Sequence, residues 1–155
     1  MLNVDGLVKV LDFGVAQSDF NGRESSTREM QFGSSDYMAP ERLFFEPETP
    51  ASDVYSLSAT LFEMISTKAL GKALAFADRH KNFIDQKVQE LTARLRINPE
   101  CTLSLQQLLV GGLSHAADQR LDSIEFSRKA RVLAGMLPGP NFVEWSSQAI
   151  PHFLQ

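Results

Sequence analysis

Most residues of this chain whose types and spacing could do chemistry fall in its first third. Asp12 closes a short apolar run and is followed at once by Phe13 and Gly14. A strand-end Asp before Gly is most often a turn residue, and its carboxylate is also a hard oxygen donor of the kind divalent cations take. Ser25, Ser26 and Thr27 place three hydroxyls in a row between Arg23-Glu24 and Arg28-Glu29. That composition reads as a solvated loop. The stretch from Gly33 through Ser34, Tyr37 and Met38 ends on Glu41, an acid that by itself reads as a surface residue at a helix start. Further along, Asp53 and Arg120 stand beside apolar periodic runs. Cys101 is alone, which excludes an internal disulfide and a clustered-cysteine zinc site. His80, isolated among charged residues, reads as solvated rather than as a ligand.

The elements that must position these residues follow from pattern. Asp5-Gly6 signals a hairpin into the strand Leu7 to Leu11, because Gly readily takes the positive φ of the turn. Residues 15–32 form a loop, and Glu46-Pro47-Glu48-Thr49-Pro50 is an exposed acidic connection. Ser52 reads as the N-cap of a helix over 52–66, with Asp53 near the positive end of its dipole. Val54, Leu57, Ser58, Leu61, Phe62 and Ile65 recur there at three- and four-residue intervals, making one broad buried face. Residues 68–98 read as helical, with an apolar stripe through Phe83 or Ile84, Val88, Leu91 and Leu95, ended by Asn98-Pro99. Leu105, Leu108 and Leu109 mark a second helix, halted by Gly111-Gly112. A last helix carries Phe126, Ala130, Leu133 and Leu137, with Asp122 near its start. Residues 138–155 read as a tail outside the core or a link to a further region.

The order Asp12-Phe13-Gly14, hydroxyl-rich loop, Gly33 to Met38, then Ala39-Pro40-Glu41 resembles the activation segment of a eukaryotic-type serine/threonine protein kinase, in wording close to the bacterial ones. The resemblance covers about residues 2 to 137. It implies a mainly α fold: the larger-lobe (C-lobe) portion of a kinase domain, with a short β-hairpin remnant, the activation segment and four to five helices. It further implies that Asp12 binds the Mg²⁺ bridging the ATP phosphates, that Phe13 is an apolar plug and that Gly14 is a flexible joint. Ser25, Ser26 and Thr27 become candidate phosphorylation sites, and Gly33, Ser34, Tyr37 and Met38 the wall that docks a protein substrate. Glu41 is implied to be buried and paired with Arg120, and Asp53 to hold the backbone of the catalytic loop. Departures are visible. Ser34 replaces Thr, Ser35 replaces Pro, Ser58 replaces Gly, and Ala116-Ala117 stands where Asp-Pro is usual.

Composition agrees with one ordinary domain: 155 residues, 43% apolar and 22% charged. A net charge of −4 gives no field for nucleic acid. No apolar run approaches the roughly 18 residues that span a bilayer, and no signal peptide is visible. The expected compartment is cytoplasmic. The chain holds no glycine-rich phosphate loop, no strand Lys with a helix Glu, and no His-Arg-Asp catalytic loop. The expectation is therefore a kinase portion inactive by itself, whose partners are a protein substrate and the missing N-terminal kinase region. The competing readings are a non-catalytic scaffolding relative and, least favoured, an unrelated helical domain. An apolar face of the 52–66 helix is expected to lie uncovered.

Overall fold

Ala51–Ser66 forms the helix α2 against which much of the chain packs, and its start differs from the expected one. Pro50 occupies the N-cap, and Ser52 caps nothing: its hydroxyl is drawn away to a buried acid. The structure is a computed structural model that describes residues 35–140 and 142–153. Before α2 come a 3-10 turn at Ser35–Tyr37 and the short helix α1, Pro40–Leu43. After it follow α3 (Ala77–Thr92), α4 (Pro99–Gly112), a 3-10 turn at Ala117–Gln119 and α5 (Ser123–Met136). Among the described residues every regular element is helical, as expected for this portion. Described residues as far as Leu137 belong to one compact unit. The tail carries a further helix, α6 (Phe142–Phe153), which belongs to a separate unit. The expected hairpin and loop, residues 1–32, lie outside the described residues.

The sequence places the stops and starts. Pro40 sits at the first position of α1, where its missing N–H costs nothing. Glu46 N–H returns to the Glu41 carbonyl and Phe45 N–H to that of Arg42, closing α1 with the paired bonds of a Schellman cap. The left-handed residue of that cap is Phe45 (φ 60°), 83% exposed, where Gly is the usual occupant. α3 spans only Ala77–Thr92, so of the stretch 68–98 that the sequence suggested as helical, residues 68–76 and 93–98, Leu95 among them, are not. Asn98-Pro99 does not end that helix but begins the next: the Asn98 side chain accepts the Cys101 N–H at 2.7 Å, with Pro99 at N1. Asp122 caps α5 in the same way through the Glu125 N–H.

α4 packs against α2, α3 and α5. Leu105, Leu108 and Leu109 meet Ile84, Val88 and Leu91 of α3 and Tyr55, Ala59 and Phe62 of α2 in one buried cluster. α4 stops at Gly112, as expected; Gly111 and Gly112 lie in its last turn, and Gly112 lets it come close to α2. A Cβ at Gly112 would lie 2.0 Å from Ser58 Oγ and 3.1 Å from the Phe126 ring. Ser58, itself fully buried, answers that proximity by donating its hydroxyl to the Val54 carbonyl at 2.7 Å. Leu57 is the one member of the expected buried face of α2 that points out, at 54% exposure.

Two glycine substitutions separate contact from propensity. Gly135→Ala on α5 meets nothing within 4 Å, so it is expected to stabilise by up to about 1 kcal/mol. Gly112→Ala gains the same helix propensity but must push α2 and α4 apart, and is expected to lose about 1–3 kcal/mol. Pulse proteolysis across a urea series reads both signs.

Candidate functional site

The strongest constellation of polar groups among the described residues joins α1 to the loop before α5. Glu41, second residue of α1, is 5% exposed, and Arg120 is 6% exposed. The guanidinium meets the carboxylate with two parallel bonds, Nη1 to Oε1 at 2.8 Å and Nη2 to Oε2 at 3.0 Å. Ser52 Oγ donates to the same Oε1 at 2.7 Å. The remaining N–H groups of Arg120 donate to three backbone carbonyls: Nε to Ser114, Nη1 to Ala51 and Nη2 to His115. All five donors of the guanidinium are thereby used. One side chain thus holds the first turn of α1, the first residue of α2 and the turn after α4.

Electrostatics follow from this packing. Burial pushes the Glu41 carboxyl up, but hydrogen bonds from Arg120 and Ser52, a backbone bond and the Arg120 charge outweigh it and bring the pKa down to about 2. The guanidinium also lies 5.2 Å above the centroid of the Tyr55 ring. Tyr55 is fully buried with no hydrogen-bond partner for its hydroxyl, and burial raises its pKa against the opposing pull of Arg120. The missing Asp-Pro at Ala116-Ala117 does not displace Arg120. There the backbone closes its own turn, with Gln119 N–H on the Ala116 carbonyl and Arg120 N–H on that of Ala117.

The segment before α1 is tied to α2. The Tyr37 hydroxyl donates to Glu63, which raises its pKa, and its carbonyl accepts Ser56 Oγ at 2.8 Å. Tyr37 and Met38 are both half-buried. Asp53, Leu57, Thr60 and Met64 form an exposed line along α2, with Met64 at 76% exposure. Asp53 and Leu57 border a groove of about 640 Å³ shared with Phe126 and Ala130 of α5. The pairing of Glu41 with Arg120 is thus as expected, and the surface reading of Glu41 is not. Asp12, Phe13, Gly14, Ser25, Ser26, Thr27, Gly33 and Ser34 lie outside the described residues. Among the described residues no three His, Cys, Asp or Glu side chains gather as a metal site, and no helix is long and apolar enough to cross a membrane. Sequence reasoning missed Ser52 and Tyr55 as members of the constellation. No local signal marks either, since their partners lie at distant positions in the chain.

Comparison with known proteins agrees with this geometry. The family described as protein kinase domain matches residues 1–130. A serine/threonine-protein kinase, ULK3, of Xenopus laevis is 29% identical over 143 residues, 92% of this chain and 29% of its own length. A probable serine/threonine-protein kinase of Dictyostelium discoideum is 41% identical over 66 residues, 43% of this chain and 13% of that protein. The probable serine/threonine-protein kinase PknB of Lactococcus lactis is 26% identical over 128 residues, 81% of this chain and 19% of its own. The chain therefore spans less than a third of the length of each of these relatives. No solved structure matches.

The depressed Glu41 carboxyl has a consequence with a definite sign. Its ionised form is favoured by the fold, so its contribution is full above its ordinary 4.5 and is lost as pH falls toward about 2. The expected loss is about 3 kcal/mol of stability over that interval. Glu41→Gln should flatten this part of the profile and lower stability at pH 7, read by urea unfolding at each pH.

Proposed function

We infer function from one premise: this chain belongs to the protein kinase family. The reaction it serves is transfer of the ATP γ-phosphoryl group to Ser or Thr hydroxyls of a protein substrate. In that family ATP bound with Mg²⁺ supplies the phosphoryl group and the metal spreads its charge. Residues 1–137 act as the substrate-docking portion of the domain and 138–155 as a tail. Asp12 is the residue that would hold Mg²⁺, with Phe13 packing beside it and Gly14 allowing the backbone to move. Phosphate on Ser25, Ser26 or Thr27 would order the loop between them and Gly33. Gly33, Ser34, Tyr37 and Met38 meet the substrate, and the ties from Tyr37 to Glu63 and Ser56 support a fixed wall there. Asp53 holds the backbone of a catalytic loop, a role supported by its exposed place on α2 beside Leu57.

The observation that carries this reading is the buried pair of Glu41 and Arg120, 79 residues apart in sequence. It fixes the end of the activation segment to the helical unit, and in a transferase that depends on positioning such anchoring is what the protein contributes. The exposed line Asp53, Leu57, Thr60 and Met64 supports a second part of the reading. Phosphoryl transfer requires residues that the 155 positions do not contain: a glycine-rich loop, a phosphate-binding Lys and a His-Arg-Asp base.

Two measurements test it. Calorimetry of this chain with Mg-ATP is expected to show no binding, and micromolar affinity would contradict the need for a complementary lobe. A chimera joining the glycine-rich loop, Lys and His-Arg-Asp portion of a related kinase to this chain is expected to phosphorylate a Ser/Thr peptide mixture. Asp12→Ala should abolish that activity while leaving the chimera folded; undiminished transfer would remove the assigned role of Asp12.

A further inference from the structure

His80 is fully buried although the residues beside it in sequence, Arg79 and Lys81, are exposed. Its position on α3 explains this. His80, Ile84, Val88 and Leu91 recur at three- and four-residue intervals and share the face turned to the core. The ring makes two bonds to backbone outside α3. Nδ1 accepts the Leu74 N–H at 3.2 Å, and Nε2 lies 3.0 Å from the Leu113 carbonyl. An N–H donor on one side and a carbonyl on the other admit one arrangement: neutral imidazole, with its proton on Nε2. His80 therefore bridges the segment before α3 to the end of α4.

A second proton has no place to go. On Nδ1 it would face the Leu74 N–H, donor against donor. The titratable and charged groups turned toward the ring give it no counter-charge. From α2 comes the Tyr55 phenol, ring centroids 5.9 Å apart. From the turn after α4 come His115, at 5.4 Å edge to face, and Arg120; both act against a cation at His80. Phe83 on α3 is apolar, Lys81 pairs with Asp85, and Lys72, Asp78 and Arg79 are exposed. Glu41 is taken up by Arg120. His115 Nε2 also meets the Leu74 carbonyl at 3.1 Å, so the same segment is held at both its N–H and its C=O by imidazoles.

We propose that His80 is an acid-released latch: neutral, it clamps the segment around Leu74 and the start of α3 to the end of α4, and protonation frees them. Desolvation holds the imidazole below its ordinary range, with the Leu113 bond acting the other way, in keeping with a group that is charged only when the latch is open. Opening then takes up one proton. With the ordinary imidazole value of about 6.5 in the open state, lowering pH from 7.5 to 5.5 increases the open fraction about tenfold.

Hydrogen exchange on this chain, corrected for the intrinsic pH dependence of exchange, tests the latch. Protection of the amides from Leu74 to Lys81 is expected to fall about tenfold between pH 7.5 and 5.5, and His115→Gln is expected to keep that fall. His80→Gln should abolish it. If that variant does not fold, nitrogen chemical shifts of the native imidazole decide, with His80 expected neutral at pH 5.5 in the closed form. Protection that is flat across this range overturns the proposal. So does a tenfold fall that vanishes in His115→Gln, or a protonated His80 whose bonds to Leu74 and Leu113 persist.

Discussion

A carboxylate and a guanidinium each lose several kcal/mol of hydration when taken out of water, and their mutual attraction returns that only in good geometry with every remaining donor occupied. Glu41 and Arg120 meet both conditions. Their contact is bidentate, Ser52 takes a further place on the acid, and three carbonyls absorb the other N–H groups of the base. Those carbonyls matter as much as the charge. Ala51, Ser114 and His115 belong to a helix start and to the turn after α4, and all three are half-buried where Arg120 reaches them. Arg120 is therefore a tie between chain segments that have no ladder of their own in common.

The rest of the packing is arranged so that this tie can form. α4 must lie close to α2 for Ser114 and His115 to stand beside Ala51, and Gly112 against Ser58 permits that approach. Tyr55 supplies a flat floor for the guanidinium at the cost of a buried hydroxyl without a partner. On the opposite side α2 leaves Leu57 and Met64 in solvent. Along that exposed line the apolar Leu57 and Met64 alternate with the polar Asp53 and Thr60.

Much of the fold could be read from periodicity. The α2, α3 and α5 stripes through Phe62, Val88 and Phe126 were visible because three- and four-residue recurrence needs only one helix to be expressed. What failed were boundaries and roles fixed by distant partners. Ser52 has the chemistry of a cap, yet a buried acid 11 residues earlier claims its hydroxyl. Asn98-Pro99 serves equally to stop one helix and start the next, and only the Cys101 N–H shows which. His80 looked solvated because its neighbours are charged, although its spacing to Ile84 and Val88 already put it on the buried stripe. Glu41 and Arg120 were paired by resemblance alone; nothing in their separation or surroundings announces contact.

The central claim is that Glu41 and Arg120 stabilise the helical unit through each other, and a double-mutant cycle measures that directly. Glu41→Gln, Arg120→Met and the double variant should be compared with the parent by urea unfolding at pH 7. The account predicts that Arg120→Met is the costlier single change, since it orphans a carboxylate and three carbonyls. It also predicts that the double variant loses less than the two singles added, with a coupling of about 1–3 kcal/mol. Two singles that are each near neutral, or that simply add, would contradict it.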